Sequence, residues 1–207
     1  MKRAILTGFE PFGPYKFNPT QDIAKEYDGT NLRGIEIIGL VLPCAYYGAF
    51  EKLSKQIDEF SPDLILSAGL SSSIPRFRLE AVGKNIMNGK YPDADDKKPE
   101  NAQIIIGGKP EYRTNCDTAR LAKEFESEGF SVDISYDAEG FICNSLLYLT
   151  SGRIHDRGLQ IKNAFLHTPW TDDYLDRINL EQNKVTVKKE DLKEGIETLL
   201  IGMANSC

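Results

Sequence analysis

Short apolar runs that end at glycine or proline recur along the chain, separated by stretches whose apolar residues follow helical spacing. A short, almost wholly apolar run is typical of a strand that is buried on both faces of a sheet. The runs that predict such strands are "KRAILTG", "IEIIGLVLP", "PDLILSAGL", "FSVDISYD" and "IKNAFLHTPW". The segment "RFRLEAVGKNIM" alternates polar and apolar residues instead, which predicts a half-exposed strand.

Amphipathic segments between these strands predict the helices. "NPTQDIAKEYDG" opens with Asn18, a favourable N-cap, and Pro19 suits the first helical position. Further helices are predicted in "AYYGAFEKLSKQIDEF", "CDTARLAKEFESEG", "FICNSLLYLTSG" and "KEDLKEGIETLLIGMANS". The alternation of strands and helices predicts an α/β fold, with a mostly parallel sheet covered by helices on both faces.

One long segment does not follow this alternation. Residues 88–113 are rich in Gly, Pro, Asp and Lys, which predicts an irregular excursion in which "QIIIGG" is a candidate short strand. Long loops within compact domains are often functional, so this segment is a candidate part of a site.

The bulk properties narrow the class of protein. The 207 residues suit one domain spanning 1–207, and the net charge of −6 argues against nucleic-acid binding. The N-terminal apolar run is too short for a signal peptide, and no stretch approaches the ~18 apolar residues of a membrane helix. We therefore expect a cytoplasmic protein without membrane contact. The four cysteines form no Cys-x-x-Cys pair, so neither zinc nor disulfides are expected.

Cys143 lies where a glycine-containing turn gives way to the apolar helix "FICNSLLYLTSG". The N-terminus of a helix carries a partial positive charge and N–H groups that have no partner within the helix. Both features favour a thiolate, and the same N–H groups could bind an oxyanion. From position alone, a thiol packed in the core is the more common case, as free cysteines usually are.

The two histidines differ in their surroundings. His167 ends the apolar strand "NAFLH", where it could take a proton from the thiol and return it to a leaving amine. A hydrogen-bonded core histidine is the alternative. His155 lies among polar and charged residues and is expected in an exposed loop.

A histidine base needs a third group to orient its ring, and spacing alone does not choose one among 31 acidic residues. Glu80 is a candidate. In a strand, Arg76 and Arg78 would share its face, so a plain salt bridge is an equal interpretation. After the first strand, "TGFEPFG" presents Phe9 and Phe12 in a constrained turn, where two rings could hold a small ligand.

The strings "TGFEPFG", "NPT", "EAVGKN", "FICN" and "HTPW", in this order, resemble the type I pyroglutamyl peptidases, also called pyrrolidone-carboxylate peptidases. The likeness runs from about residue 3 to residue 170. It implies a three-layer α/β/α sandwich and a cysteine omega-peptidase that removes an N-terminal pyroglutamyl residue from peptides. It also implies a cytosolic homo-oligomer, a dimer or a tetramer, that needs no metal and no cofactor.

Matching the family's motifs position by position assigns roles to residues of this chain. The catalytic triad implied is Cys143, His167 and Glu80. The substrate-binding residues implied are Phe9, Phe12, Asn18, Leu70, Lys90 and Ile142. Two phenylalanines would sandwich the flat lactam ring, and the ring carbonyl would distinguish it from proline.

Three loops depart from the family's pattern. Ser71–Arg76 reads "SSSIPR" where a glycine-glycine-arginine stretch is usual, and Gly89–Asp93 carries Lys90 in place of an arginine. Glu139 adds a carboxylate four residues before Cys143, which opposes ionisation of the thiol. These changes leave two alternatives to the peptidase hypothesis: a hydrolase of another small lactam or amide on the same triad, or a catalytically silent ligand-binding homologue.

Overall fold

The computed structural model describes residues 1–174 and 186–205. Its strands are, in chain order, β1 (Lys2–Phe9), β2 (Thr30–Leu32), β3 (Ile35–Leu42), β4 (Leu64–Leu70), β5 (Phe77–Glu80), β6 (Val82–Lys84), β7 (Glu111–Arg113), β8 (Val132–Ser135), β9 (Lys162–Thr168), β10 (Trp170–Thr171) and β11 (Thr186–Val187). Its α-helices are α1 (Pro19–Tyr27), α2 (Gly48–Phe60), α3 (Thr118–Ser127), α4 (Ile142–Arg157) and α5 (Lys189–Ala204).

The main sheet has seven strands in the order β2-β3-β1-β4-β9-β5-β8. Strand β1 runs parallel to β3 and β4, β4 runs parallel to β9, and β5 runs parallel to β8. Only β2 against β3 and β5 against β9 are antiparallel pairs within this sheet. The prediction of a mostly parallel α/β sheet is therefore confirmed.

Helices cover both faces of the sheet and create two separate cores. On one face, α1, α3 and α5 pack on alternate side chains of the central strands, with Leu6, Phe125 and Leu199 fully buried. On the other face, α2 and α4 pack on the intervening side chains around Ile65 and Phe165. Because the central strands are covered twice, they must be apolar throughout, which explains their nearly unbroken hydrophobic runs.

The helix boundaries follow local chemistry. The Asn18 side chain accepts a hydrogen bond from the backbone N–H of Thr20, and Pro19 occupies the first turn of α1. Asp117 caps α3 in the same way through the N–H of Arg120. Within residues 1–174 and 186–205, no helix is both long and apolar enough to cross a membrane.

The segment "RFRLEAVGKNIM" was wrongly predicted as one half-exposed strand. It forms two strands in two sheets: β5 enters the main sheet between β8 and β9, whereas β6 pairs with β7. Most of β5 is buried because α3 packs on one of its faces, where the rings of Phe77 and Phe125 meet at 5.2 Å. Arg78 and Glu80 lie on the opposite face of β5, where Glu80 is fully buried and Arg78 is 18% exposed, so both must find partners inside the protein.

The run "QIIIGG" was predicted as a short strand, and this is also wrong. Its backbone is held by a side chain rather than by a strand, because the Asn85 amide donates to the carbonyl of Ile105 at 2.8 Å and accepts from the N–H of Ile105 at 2.9 Å. A turn then links Ile105 to Gly108. A single asparagine thus supplies the pairing that a neighbouring strand would give.

Candidate active site

Cys143 is the second residue of α4, whose N-cap is Phe141. The turn before it is tight: Glu139 has a φ of +67°, and a Cβ on Gly140 would lie 2.8 Å from Cβ of Asn88. Gly140 therefore allows residue 88 to approach closely and fixes where α4 begins. The thiol lies in the first turn, where backbone N–H groups point away from the helix body.

The Cys143 sulfur lies against the end of β4. A Cβ built on Gly69 would be 2.8 Å from this sulfur, so only a glycine leaves it room. Gly69 pairs with His167 in the register of β4 and β9. The topology thus brings the thiol of α4 to the pair of strands that carries the histidine.

Burial raises the pKa of the Cys143 thiol well above its usual range, and the negative charges of Glu80 and Glu139 raise it further. The positive charge of Arg78 acts in the opposite direction but is weaker. In the free protein, burial and the two carboxylates therefore outweigh the helix N-terminus, which was expected to favour a thiolate. The sulfur carries its proton near neutral pH, and a base must remove it before attack.

His167 and Glu80 form a buried pair. The Nδ1 atom of His167 lies 2.7 Å from Oε1 of Glu80, and Glu80 is fully buried. Although burial raises the pKa of Glu80, the hydrogen bond from His167 and the charges of His167 and Arg78 lower it more, so the pKa lies below its usual value. An ionised carboxylate can only accept, so Nδ1 carries the proton and Nε2 remains a base.

Glu80 also binds Arg78. The Nε atom of Arg78 donates to the same Oε1 atom at 2.7 Å. The salt bridge and the histidine partner, which were equal alternatives from the sequence, therefore occur together. Arg76 instead pairs with Asp133 at 3.6 Å on the protein surface.

A cavity of about 160 Å³ opens beside Cys143 and His167. All six residues predicted to bind substrate line it: Phe9, Phe12, Asn18, Leu70, Lys90 and Ile142. Glu80 lies behind His167 and does not line the cavity. The structure thus collects the predicted residues in one place at the ends of β1, β4 and β9.

The comparisons with known proteins agree with this geometry. The pyroglutamyl peptidase family model matches residues 2–200. The chain is 30% identical to the pyrrolidone-carboxylate peptidase of Pyrococcus furiosus over 181 residues, which cover 87% of each protein. It is 28% identical to the corresponding protein of Bacillus cytotoxicus over 200 residues, covering 97% of this chain and 92% of that protein.

The chain belongs to the pyroglutamyl peptidase family. Solved structures agree: a mutant pyrrolidone carboxyl peptidase from Pyrococcus furiosus superposes with a TM-score of 0.92 at 27% identity, covering 98% of both chains. The pyrrolidone carboxyl peptidase from Thermococcus litoralis gives a TM-score of 0.91 at 27% identity, covering 99% of this chain and 94% of that one. The resemblance inferred from the motifs is confirmed.

In this pyroglutamyl peptidase, further aromatic residues complete the cavity wall. The ring of Phe141 lies 5.8 Å from the ring of Phe12, and Tyr15 contacts Phe12 edge-on at 5.4 Å. Tyr15 also donates to the Ser72 hydroxyl at 3.0 Å, which ties the turn after β1 to the "SSSIPR" loop. Motif matching did not identify Phe141 or Tyr15. Phe141 is the first residue of the quoted motif "FICN" and Tyr15 lies two residues after "TGFEPFG", but position in the sequence carries no information on which way a ring points.

Asn18 is engaged with the backbone of its own turn. Its Oδ1 accepts from Thr20 and its Nδ2 donates to the carbonyl of Glu10 at 3.2 Å. These bonds hold the segment that carries Phe9 and Phe12. The assignment of Asn18 to substrate binding stays a prediction, and its hydrogen bonds indicate that it would act mainly by shaping this turn.

Two charged residues mark the cavity rim of the pyroglutamyl peptidase. Lys90 is exposed, and its ammonium lies 5.5 Å from the centre of the Tyr91 ring. Glu139 is 67% exposed and lies 3.6 Å from Nη2 of Arg78 rather than beside Lys90. Within the described part of the chain, no group of three or more His, Cys, Asp or Glu side chains is placed to hold a metal ion.

Proposed function

We propose that Cys143, His167 and Glu80 are the catalytic triad with which this chain hydrolyses the bond after an N-terminal pyroglutamyl residue. The chain is a cysteine peptidase of the pyroglutamyl peptidase I type. The observation that supports the triad is the cavity in which a thiol at a helix start meets a histidine held by a buried carboxylate.

The proposed reaction begins with proton transfer. Because burial keeps Cys143 protonated, Nε2 of His167 removes the proton as the sulfur attacks the acyl carbonyl of the pyroglutamyl residue, not the carbonyl of its ring. N–H groups in the first turn of α4 receive the negative charge that develops on the carbonyl oxygen. His167 then donates the proton to the leaving amine, and water, activated by the same ring, hydrolyses the thioester.

The cavity suits a small neutral lactam. Phe9 and Phe12 would hold the ring faces, while Leu70 and Ile142 would enclose its edge. Leu70 ends β4, where backbone groups become available to the lactam N–H and ring carbonyl. A prolyl group has a similar shape but lacks the carbonyl, so polar groups of the cavity would be left unpaired.

The direct test is hydrolysis of a chromogenic pyroglutamyl amide, with the prolyl amide as the matched control. We expect turnover of the first, at least ~10²-fold preference over the second, and full activity in EDTA. Turnover of a different small lactam or amide alone would favour the alternative hydrolase. No turnover of any amide would favour a silent ligand-binding homologue, and inhibition by EDTA would point to a metal.

Glu80→Gln is predicted to reduce kcat by on the order of 10²-fold, less than loss of the nucleophile, because Glu80 orients the ring but does not react. The substitution removes the carboxylate that supports the imidazolium, so the acidic limb of the pH profile of kcat/KM should move to lower pH. Glu111→Gln on β7 is the surface control. An unchanged kcat for Glu80→Gln would contradict the role.

Gly69→Ala is predicted to lower kcat by at least ~10-fold, since small displacements of reacting groups are costly. The new methyl would lie 2.8 Å from the Cys143 sulfur and 3.1 Å from the Phe165 ring, so the thiol must move away. In the control Gly48→Ala, the methyl would meet Ala45 at 3.2 Å, outside the cavity. Steady-state kinetics and far-ultraviolet circular dichroism of both variants distinguish displacement of the Cys143 thiol from unfolding of the protein. Full activity of Gly69→Ala would refute the prediction.

The assembly and location are also proposed from the family resemblance. We expect a homo-oligomer, a dimer or a tetramer, in the cytoplasm. Cys44 and Cys143 are free thiols, which suits a reducing compartment. Sedimentation equilibrium of the purified chain would measure its assembly, and a monomer at micromolar concentration would contradict the expected oligomer.

A further inference from the structure

Arg78 is a partly buried cation beside the proposed triad, and the reaction described above has no use for it. Its side chain is 18% exposed, and its Nη2 atom is buried without a hydrogen bond. In the register of β5 and β9, Arg78 lies directly opposite His167. Removing a guanidinium from water costs free energy unless it is paired with neighbouring groups, so the contacts of Arg78 indicate its role.

The two donors on Glu80 converge on one atom. Nδ1 of His167 and Nε of Arg78 both lie 2.7 Å from Oε1. Oε1 is therefore fixed from two directions, and the carboxylate cannot rotate without breaking a charge-assisted hydrogen bond. The orientation of the histidine ring depends on this oxygen, so Arg78 constrains the ring through Glu80.

We propose that Arg78 is a positioning residue of this site: it locks the Glu80 oxygen that holds His167, and Glu139 is its counter-ion at the cavity rim. This inference rests on the proposed triad. It assigns a shared role to two residues, one on β5 and one in the turn before α4, that contact each other at 3.6 Å.

The charges around the thiol are arranged in alternation. The titratable and charged groups that face the site from the elements packed around it are Arg78, Glu80, Glu139, Cys44, Cys143, His167, Lys90, Tyr15 and Tyr91. The nearby Lys84 and Asp137 neutralise each other at 2.7 Å. Arg78 is the cation of this set whose charge favours the Cys143 thiolate, and its removal leaves two carboxylates opposing ionisation of the thiol.

The sign of the expected change follows from these charges. Without Arg78, the negative charge of Glu80 beside the His167 ring is less compensated, so the acidic limb of kcat/KM should move to higher pH. The Cys143 thiol also ionises at higher pH, because the cation that favoured its thiolate is gone. Removing Glu139 has the opposite effect on the thiol, because its negative charge opposes ionisation of Cys143.

The test compares Arg78→Met, Arg78→Lys and Glu139→Gln with the surface control Arg76→Met. For Arg78→Met we expect a fall in kcat of at least ~10-fold with little change in KM. The acidic limb of kcat/KM should rise by on the order of 1 pH unit. Arg78→Lys keeps the charge but not the donor geometry. The acidic limb of its pH profile of kcat/KM should therefore stay near that of the wild type, while its kcat falls. Arg76→Met should change neither quantity.

A second measurement does not depend on hydrolysis. The pH dependence of iodoacetamide alkylation, read at the Cys143 peptide by mass spectrometry, should move up for Arg78→Met and down for Glu139→Gln. Glutamine rather than glycine is substituted for Glu139, because glycine would also relieve the backbone strain of the positive φ at this position. If pyroglutamyl amides are not cleaved but the alkylation profiles shift, the proposed function fails and this inference survives. Profiles that superimpose for wild type, Arg78→Met and Glu139→Gln would overturn it, and Glu139→Gln decides alone if Arg78→Met does not fold.

Discussion

Cys143→Ser is expected to reduce hydrolysis of a pyroglutamyl amide by at least ~10⁴-fold, which is the largest effect of any single substitution in this chain. The serine hydroxyl is far less acidic than a thiol, and the site already raises the pKa of its nucleophile by burial. His167 can take the proton of a thiol more readily than that of a hydroxyl, which is the weaker acid in the same surroundings. The loss should appear in kcat, whereas binding of a pyroglutamyl inhibitor should be nearly unchanged.

Cys116→Ser is the matched control, because Cys116 does not line the cavity. Cys207→Ser is also expected to retain activity; Cys207 lies outside the described residues. Cys44→Ser is a stricter comparison, since Cys44 lines the cavity and donates to the carbonyl of Glu10 at 3.2 Å. Retention of most activity in these three variants, with loss in Cys143→Ser alone, identifies the nucleophile.

Iodoacetamide should modify Cys143 as activity is lost. Burial raises the pKa of Cys44 to about 12, and its thiol donates to the carbonyl of Glu10 at 3.2 Å rather than to a base. The Cys143 thiol has a raised pKa as well, but His167 can take its proton, so Cys143 should react faster than Cys44. Peptide mass spectrometry during inactivation would follow each cysteine separately. Inactivation that tracks alkylation of Cys44 or Cys116 instead would exclude Cys143 as the nucleophile.

The sequence predicted most strands and helices because their signals are local. Buried parallel strands must be apolar on both faces, and the run Leu64–Leu70 shows this pattern. Asn18 followed by Pro19 predicts a helix start, because the asparagine side chain can cap the helix and proline suits its first turn. Cys143 in the first turn of α4 followed from the same reasoning. These features depend on neighbours within a few residues, so a single sequence contains them.

The features that the sequence did not predict depend on contacts distant in the chain. The pairing of Asn85 with Ile105 replaces a strand, and nothing within "QIIIGG" indicates it. The burial of Arg78 and Glu80 requires knowing that β5 lies between β8 and β9. Alternation alone placed these residues on an exposed face, because a polar residue paired inside a protein has the same pattern as one in water.

The pKa of the Cys143 thiol could not be predicted from the sequence for the same reason. A helix N-terminus contributes a modest favourable field for a thiolate, and this could be inferred from position. The opposing contribution comes from burial and from Glu80 and Glu139, which reach the sulfur only through the fold. The direction of the shift was therefore decided by tertiary structure. It changes the proposed mechanism from a preformed thiolate to proton transfer at the moment of attack.

His167→Ala is expected to lower kcat by on the order of 10² to 10⁴, the usual range for removal of a general base, while His155→Ala should have little effect. His167 is buried at the cavity wall with its ring fixed by Glu80. His155 lies at the other end of α4, exposed, with its Nδ1 3.0 Å from Asp156.

The two histidine variants form a matched pair, because each replaces one imidazole that is bonded to one carboxylate. Only His167 shares a cavity with the thiol, so the difference between the variants measures proton transfer rather than loss of a histidine as such. Added imidazole should partly restore His167→Ala, since the vacated space adjoins the cavity, and should not alter His155→Ala. Equal losses in the two variants would show that the base is not His167, and the pairing of His167 with Glu80 would then be a feature of the core alone.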